Sequence, residues 1–437
     1  MIRSECQCPG TGDGYAVGDA LLSTDTSGVV PVFLHTGWRT RGTWLWSRFR
    51  ALGGTSCFYE PLFEDLATLS VSKIDASAPQ TWSSGHPRLA RPYFAEFHPL
   101  LKTDGCGVRH YDPAFAVTGF FAEPDAAMPD LCDYIRSLLR RAHADGGQPV
   151  LKFCRTLGRI GWMQQNFPHA IHAALIRNPL AQFISAQHQF QRHNNAYFLA
   201  MPLLLLTTHR DVPDVATAVR HLGVALPPLP SGASLRARLA ACEAHLRRQG
   251  PPAQYREFLA FWIVTASRIP ATIDLVIDSD LLTNSADYRR QCEIDLATLT
   301  GRTVDLGDAL AGAGCDSAML ATSGLPRAEL WRAHGAAEAF MAERAGEAWV
   351  DSPLLARVGA LLSYATLLGT NPLHVMGMEP MIRWDEVCAE AAALLAHAQR
   401  AISAEQELAA MCASHSWKVT APLRWLREHL PIGGRGR

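Results

Sequence analysis

VVPVFLHTGWRTRGTWLWSRFRALGG, Val29 to Gly54, sets a short apolar run, a polar loop and a Trp-rich amphipathic segment end to end. From Val29 to His35 the residues are apolar and largely β-branched, as a strand buried on both faces has to be. From Thr43 to Leu52 the apolar positions recur at helical spacing and stop at Gly53-Gly54. A strand, a tight loop and a helix in that order make a cradle for an anion: N–H groups at the helix start point into the loop, and the helix dipole favours negative charge there. Arg39 adds a fixed cation, Thr40 and Thr43 add hydroxyl donors, and Gly37 and Gly42 let the backbone turn tightly. GxxxxGK[ST] is absent, so no lysine followed by Ser/Thr brings in Mg²⁺, and the loop differs from the usual nucleoside-triphosphate loop.

Outward from this unit the alternation continues. TSCFYE (Thr55–Glu60, before Pro61), PVLKFC (Pro149–Cys154), AIHAALIR (Ala170–Arg177) and TIDLVIDSDLL (Thr272–Leu282) read as four further strands. Helical segments separate them: one from Asp130, one over RIGWMQQNF, one with Asn178 as N-cap and Pro179 at its first position, and the apolar REFLAFWIVTASRI. The pattern predicts an α/β fold, a parallel sheet flanked by helices. Residues 1–28 read as a loosely ordered lead-in, 29–325 as the α/β domain, and 326–437 as an Ala-rich helical extension with a flexible tail, its helices available to a protein partner. The Pro-rich, aromatic stretch 68–121 reads as a long excursion over the sheet edge, of a length that usually carries function.

Composition bounds the partners. The chain has 437 residues, 48% of them hydrophobic, with 40 basic against 41 acidic side chains and a net charge of -1. That balance gives no general attraction to nucleic acid or to an anionic membrane, so anion chemistry must be local. Eleven cysteines show no CxxC pair and no His/Cys ligand spacing; they read as reduced, buried thiols of a cytoplasmic protein. The N-terminus carries no secretion-signal pattern, and the most apolar run, FLAMPLLLLTT from Phe198, falls short of the roughly 20 residues of a spanning helix. A soluble protein is the expectation.

Ligands of a parallel sheet sit at the carboxyl ends of its strands. There the reading collects the loop from Thr36 to Thr43, then Glu60, Arg155 and Arg177. In RNPLAQFIS, Arg177 ends a strand and Ser185 lies within the next helix, where a guanidinium fork and a hydroxyl would hold a second phosphate. On these residues the sequence resembles the sulfotransferase family, in its bacterial type, which uses 3'-phosphoadenosine 5'-phosphosulfate (PAPS) as donor. The resemblance runs from about Val29 to about Gly301. WRTRGTWL is similar to the 5'-phosphosulfate loop, ALIRNPLAQFIS to the 3'-phosphate motif, and LVIDSDLL with YRRQCEIDLATLTG to a late strand–helix unit of the family. It implies a P-loop-like fold, PAPS as donor and no metal. It also implies that Arg39, Thr40, Arg41, Gly42, Thr43 and Trp44 hold the 5' end and that Arg177 and Ser185 hold the 3'-phosphate. Arg39 stands where lysine is more usual, Arg41 where a small residue is commoner, and the late basic-glycine contact is not recognisable.

Sulfonyl transfer asks a protein for positioning, charge neutralisation and deprotonation of the acceptor. Glu60, beside the loop, is the first candidate for general base; His86, Glu96 and His98 in the excursion are its rivals, and Lys152 and Arg155 are placed to assist the sulfonate or the acceptor. His188 and His193 flank a helix without a ligand cluster, and Trp38, Trp44 and Trp46 read as core anchors. The tail SWKVTAPLRW is similar to a segment recurring at the ends of bacterial cell-surface polysaccharide enzymes. The resulting expectation is sulfonate transfer to a hydroxyl of a glycan or glycan-linked metabolite. Two alternatives stand beside it: a kinase-like P-loop protein that binds a nucleoside triphosphate, and a non-enzymatic scaffold with a degenerate fold of this type.

Overall fold

Five strands pair into one all-parallel sheet in the computed structural model, which describes residues 29–77, 86, 87, 89–310 and 324–345, with 358, 359 and 362. The lead-in, most of the extension and the tail motif lie outside the described residues. The strands are β1 (Val32–Thr36), β2 (Thr55–Tyr59), β3 (Gln148–Phe153), β4 (Ile171–Ile176) and β5 (Leu275–Asp278), in the order β2-β3-β1-β4-β5. β1, β3 and β4 are buried along their whole length, which is why their sequences run apolar rather than alternating. β1 begins three residues later than expected because Pro31 has no N–H for the ladder, although its carbonyl still accepts from Ile171 N–H at 2.8 Å.

The helices are α1 (Gly42–Arg50), α2 (Val71–Ala76), α3 (Pro129–Ala144), α4 (Ile160–Asn166), α5 (Pro179–His193) and α6 (Tyr197–Thr208), then α7 (Pro213–His221), α8 (Leu235–Arg248), α9 (Pro251–Ser267), α10 (Ser279–Asn284), α11 (Ala286–Thr300) and α12 (Arg327–Ala345). Asn178 caps α5 by accepting from Ala181 N–H at 2.8 Å, with Pro179 at the first position, as the sequence predicts. The polar exit of the fifth strand is helix instead: Asp278 accepts from the N–H groups of Asp280 and Leu281 at 2.8 and 3.1 Å and starts α10. α6, apolar all round, is buried among α5, α8 and α9. Among the described residues no helix is long and apolar enough to cross a membrane.

Period-two alternation in β4 feeds both sides of the sheet. Ala173 and Leu175 join a core with α1, α3 and α4, while Ala174 and Ile176 join one with α5, α6 and α9. The second core also takes Leu330, Ala333, Ala337, Phe340 and Met341 of α12. Tyr255 Oη and His334 Nε2, 2.6 Å apart, bond α9 to α12. The described part of the extension is thus built into the domain, on the far side of the boundary read at 325.

The excursion is wound around edge strand β2 by aromatic contacts: Phe97 meets Phe58 at 5.2 Å between ring centroids, and Tyr93 meets Tyr59 at 4.9 Å. Short 3₁₀ turns at Glu64–Thr68, Ala95–Leu100 and Pro113–Ala116 give it local order. Strand order also sets the site. From β1 the chain moves toward the β2 edge; from β3 it passes β1 to reach β4. With right-handed crossovers those two connections leave on opposite faces, opening a crevice between the carboxyl ends of β1 and β3.

Candidate functional site

The loop after β1 is held from three directions. Thr36 Oγ1 donates to Phe153 O at 2.9 Å, Thr40 Oγ1 to Gly37 O at 2.8 Å, and Ser279 Oγ to Thr40 O at 2.6 Å. Thr40 is therefore spent on the loop itself. Arg39 and Arg41 both sit in the left-handed region, at φ 67° and 68°, a conformation costing a non-glycine residue about 1–2 kcal/mol. A Cβ on Gly42 would lie 2.5 Å from Thr36 Cγ2, so only glycine fits where the loop enters α1. α1 starts without a side-chain cap and without an acidic residue in its first turn, which leaves its positive dipole end uncompensated by its own sequence.

The two segments expected to bind anions meet here. Arg177, just past β4, donates from Nη1 to Arg39 O at 2.9 Å, and Arg39 Nε donates to Ser185 Oγ on α5 at 2.9 Å. The Arg39 guanidinium lies 5.1 Å from the Phe198 ring centroid. Burial and the neighbouring Arg177 lower the Arg39 guanidinium to about 10, and the same two causes lower Arg41. Arg177 Nε is 3.6 Å from Asp280 Oδ1, and Asp280 Oδ2 accepts from Asn178 N–H at 2.7 Å. Asp280 and Asn178, which fix Arg177, were not legible as site residues.

Arg41 is turned away from the loop: Nη1 donates to Thr283 Oγ1 at 2.9 Å and to Ala309 O at 2.5 Å, tying the loop to α10 and the turn after α11. Trp44 is half-buried rather than a core anchor. Its Nε1 donates to Asp308 Oδ1 at 3.1 Å, and the guanidinium groups of Arg41 and Arg48 lie 5.5 and 5.9 Å from its ring. Trp38 and Trp46 are core residues.

Glu60, at φ 47° just after β2, takes a different part from the base expected of it. Lys152 Nζ donates to Oε1, while Oε2 accepts from Cys154 N–H and Arg155 Nη1, each at 3.1 Å. Burial would raise this carboxyl, but Lys152 and Arg155 hold it below the usual carboxylate range. A carboxylate whose lone pairs and charge are so committed is a poor proton acceptor. Lys152 pairs in register with Tyr59 and Leu34, and its ammonium lies 4.9 Å from the Tyr59 ring centroid. Burial works against that ammonium; the Cys154 sulfur and the Glu60 carboxylate beside it more than offset burial and keep it charged. Arg155 continues the network to Glu64 Oε2 at 2.6 Å, and Tyr197 Oη donates to Glu64 Oε1 at 2.8 Å.

Tyr59 bridges this network to the loop: its hydroxyl lies 3.4 Å from Thr43 Oγ1 and 3.2 Å from His86 Nε2. Burial, with Lys152 and Arg39 nearby, lowers His86 to about 3, so the imidazole is neutral. The other rivals stand apart. Glu96 is bound by Arg50 at 2.9 Å, and His98 is exposed. His188 and His193 have ring centroids 6.2 Å apart, and among the described residues no group of three or more His, Cys, Asp or Glu is arranged to hold a metal. Of the described cysteines, Cys57, Cys132, Cys154, Cys242 and Cys292 are buried and Cys106 is exposed, all as free thiols.

One crevice thus gathers an uncapped helix start, the Arg39–Arg177–Ser185 cluster, a neutral imidazole and a buried ammonium. Such a set can neutralise an extended anion and accept a proton beside it. Comparison with protein-family models, curated proteins and solved structures returns no match to the chain.

Proposed function

We propose that the chain is a sulfotransferase that moves the sulfonate of PAPS onto a hydroxyl of a glycan or glycan-linked metabolite. The observation that carries this reading is the bonding of Arg177 and Ser185 to Arg39, which joins the two anion motifs across the carboxyl ends of β1 and β4. In this reading the α1 N-terminus, Thr43 and Arg39 take the 5' end of the donor, and Arg177 with Ser185 takes the 3'-phosphate. The acceptor oxygen forms a bond to sulfur as the bond from sulfur to the 5'-phosphate oxygen breaks. The acceptor proton passes to His86, which burial, Lys152 and Arg39 hold neutral and weakly basic at rest and which the negative charge of the bound donor would make more basic, and Glu60 acts as a positioning residue that keeps Lys152 charged beside the developing negative charge.

Calorimetry tests it directly. Adenosine 3',5'-bisphosphate should bind the wild-type chain, and ATP with Mg²⁺ should not. Arg177→Ala removes a charge-assisted contact of about 1.5–3 kcal/mol, weakening the bisphosphate roughly ten- to a hundredfold. Binding of ATP with Mg²⁺ in place of the bisphosphate would transfer the site to the kinase-like reading. Unchanged affinity in the variant would remove Arg177 from it.

A further inference from the structure

LKFC, Leu151 to Cys154, puts a lysine and a cysteine two residues apart at the end of β3, and side chains so spaced along a strand share a face. Lys152 Nζ donates to Cys154 Sγ at 3.0 Å. The thiol proton lies elsewhere. Thr36 Oγ1 gives its single proton to Phe153 O, so at 3.3 Å from Sγ it can only accept from the thiol, and the sulfur turns a lone pair to the nitrogen. Glu60 completes the set: Oε1 accepts from the same Nζ, and Oε2 from Cys154 N–H at 3.1 Å. A thiol, an amine and a carboxylate able to take a proton from that amine are thus joined by direct hydrogen bonds.

The place in the fold favours a small reagent. Cys154 stands just past β3 and against Thr36, the last residue of β1, where the crevice lies between the carboxyl ends of the two strands. It keeps 5% of its surface exposed, which suits a hydroperoxide better than the thiol of a second protein. We propose that Lys152 and Cys154 form a covalent redox site, in which oxidation by hydrogen peroxide joins Nζ to Sγ. In the first step one peroxide oxygen passes to Sγ: the O–O bond breaks, an S–O bond forms, and the other oxygen leaves as water with the thiol proton, the sulfur having given up two electrons. Nζ then passes a proton to the Glu60 carboxylate and attacks Sγ; the S–N bond forms, the S–O bond breaks, and the hydroxyl leaves with a proton from nitrogen as a second water. The bond removes the ammonium charge from the crevice, and a thiol reductant restores it. Only the consequence for sulfonate transfer rests on the sulfotransferase reading; the bond itself does not.

Trypsin reads the bond, because it cuts after a free lysine and not after a bridged one. Burial and Glu60 push the Cys154 thiol up to about 11 against the pull of Lys152, so the full chain would be treated with hydrogen peroxide at pH 9, where the thiolate is about a hundredfold commoner than at pH 7. Remaining thiols would be capped with N-ethylmaleimide and the chain digested without reductant. The peptide from Ala142 to Arg155 should appear uncut at Lys152, without the maleimide label and lighter by two hydrogens than its thiol form. Dithiothreitol should restore both the cut and the thiol. Lys152→Met should send Cys154 on to the sulfinic acid; should that variant fail to fold, Cys154→Ser should be cut at Lys152 after the same treatment. The loss of two hydrogens in a peptide still cut at Lys152 would put the bond on a backbone nitrogen and overturn the assignment. An uncut peptide that has gained an oxygen would overturn the direct S–N bond in favour of an oxygen bridge. A sulfinic Cys154 beside a free Lys152 in the wild-type chain, or an untouched Cys154 when exposed Cys106 is fully oxidised, would overturn the site. None of these outcomes depends on whether adenosine 3',5'-bisphosphate binds, so failure of this site and failure of the donor reading are separate results.

Discussion

At Glu60 two cations and a backbone N–H compete for the two oxygens of one carboxylate, and that competition separates a base from a positioning group. Glu60→Gln keeps the shape but leaves Lys152 and Arg155 buried with half their counter-charge, so the folded state should lose about 3–5 kcal/mol. Its folded carboxyl is held low, so its contribution is present above the unfolded value of about 4.3 and is lost as pH falls through the folded one. The variant's deficit, measured by denaturant unfolding, should therefore be full at pH 7 and shrink below pH 4. His86→Ala should lower turnover about a hundredfold with little change in stability; a stable, inactive Glu60→Gln beside an active His86→Ala would return the base to Glu60. The sequence carried a clue to this arrangement. A lysine inside the apolar run PVLKF has to meet a counter-ion if the strand is buried, and Glu60 follows a strand that could lie beside it. Which strand does lie beside it is a matter of pairing, which no local pattern states.

The loop between β1 and α1 shows how far an element can be read from its own residues. Strand, glycine-bearing loop and helix were legible because burial, tight turning and helical periodicity each leave a local trace, and the same holds for all five strands to within a few residues. The partners were not legible: that Ser279 fastens the loop, or that Arg41 leans on Thr283, depends on β5 lying beside β4. Arg177 and Ser185 were singled out because a motif carried them, whereas Asp280 and Asn178 belong to no pattern except helix starts. The glycines make a test confined to this element. Gly42→Ala would press a methyl into Thr36, whose hydroxyl is bound to Phe153 O and which therefore has little room to yield. Such overpacking should cost about 1–3 kcal/mol and, by displacing the start of α1, weaken adenosine 3',5'-bisphosphate at least about tenfold. Gly53→Ala meets nothing within 4 Å and should leave both quantities unchanged or slightly improved. Equal behaviour of the two variants would mean that the loop does not need its close contact with β1.

At the scale of the whole molecule, buried and half-buried histidines among the described residues shape the response to acid. His35 on β1, His86 in the excursion, His172 on β4, His209 after α6 and His334 on α12 are all lowered, with burial the first cause in each. The β1–β4 pair shows why neutrality is structural. Phe167 O can only accept, so His172 Nε2, 3.1 Å away, carries a proton; His172 Nδ1 then accepts from His35 Nε2 at 3.0 Å, and His35 Nδ1 accepts from Thr156 Oγ1 at 2.7 Å. A further proton on His172 Nδ1 would face the His35 N–H and break that chain, whereas one on His35 Nδ1 would only require Thr156 Oγ1 to turn from donor to acceptor. The folded values lie below the unfolded value of about 6.5, so between the two the unfolded chain binds more protons and stability rises with pH. Each such group costs up to about 1.4 kcal/mol per pH unit as pH falls through that window. His86 and His334, both lowered to about 3, remain neutral at pH 6, where an unfolded histidine is about three-quarters protonated. With His35, unfolding at pH 6 should take up about two protons; by pH 8 the histidine uptake is gone and buried thiols, Cys57 and Cys242 raised to about 12 and Cys154 to about 11, release protons on unfolding instead. Carboxylates that burial raises, such as Glu96 and Glu257, act in the opposite sense, so the difference between the wild-type chain and a single-histidine variant isolates the imidazole. His334→Gln, which preserves a partner for Tyr255, should reduce the uptake by about three-quarters of a proton, measured by calorimetric unfolding in two buffers of different ionisation heat. An uptake below one proton in the wild-type chain would mean that these imidazoles titrate near their ordinary value in the folded state, so that burial does not hold them neutral.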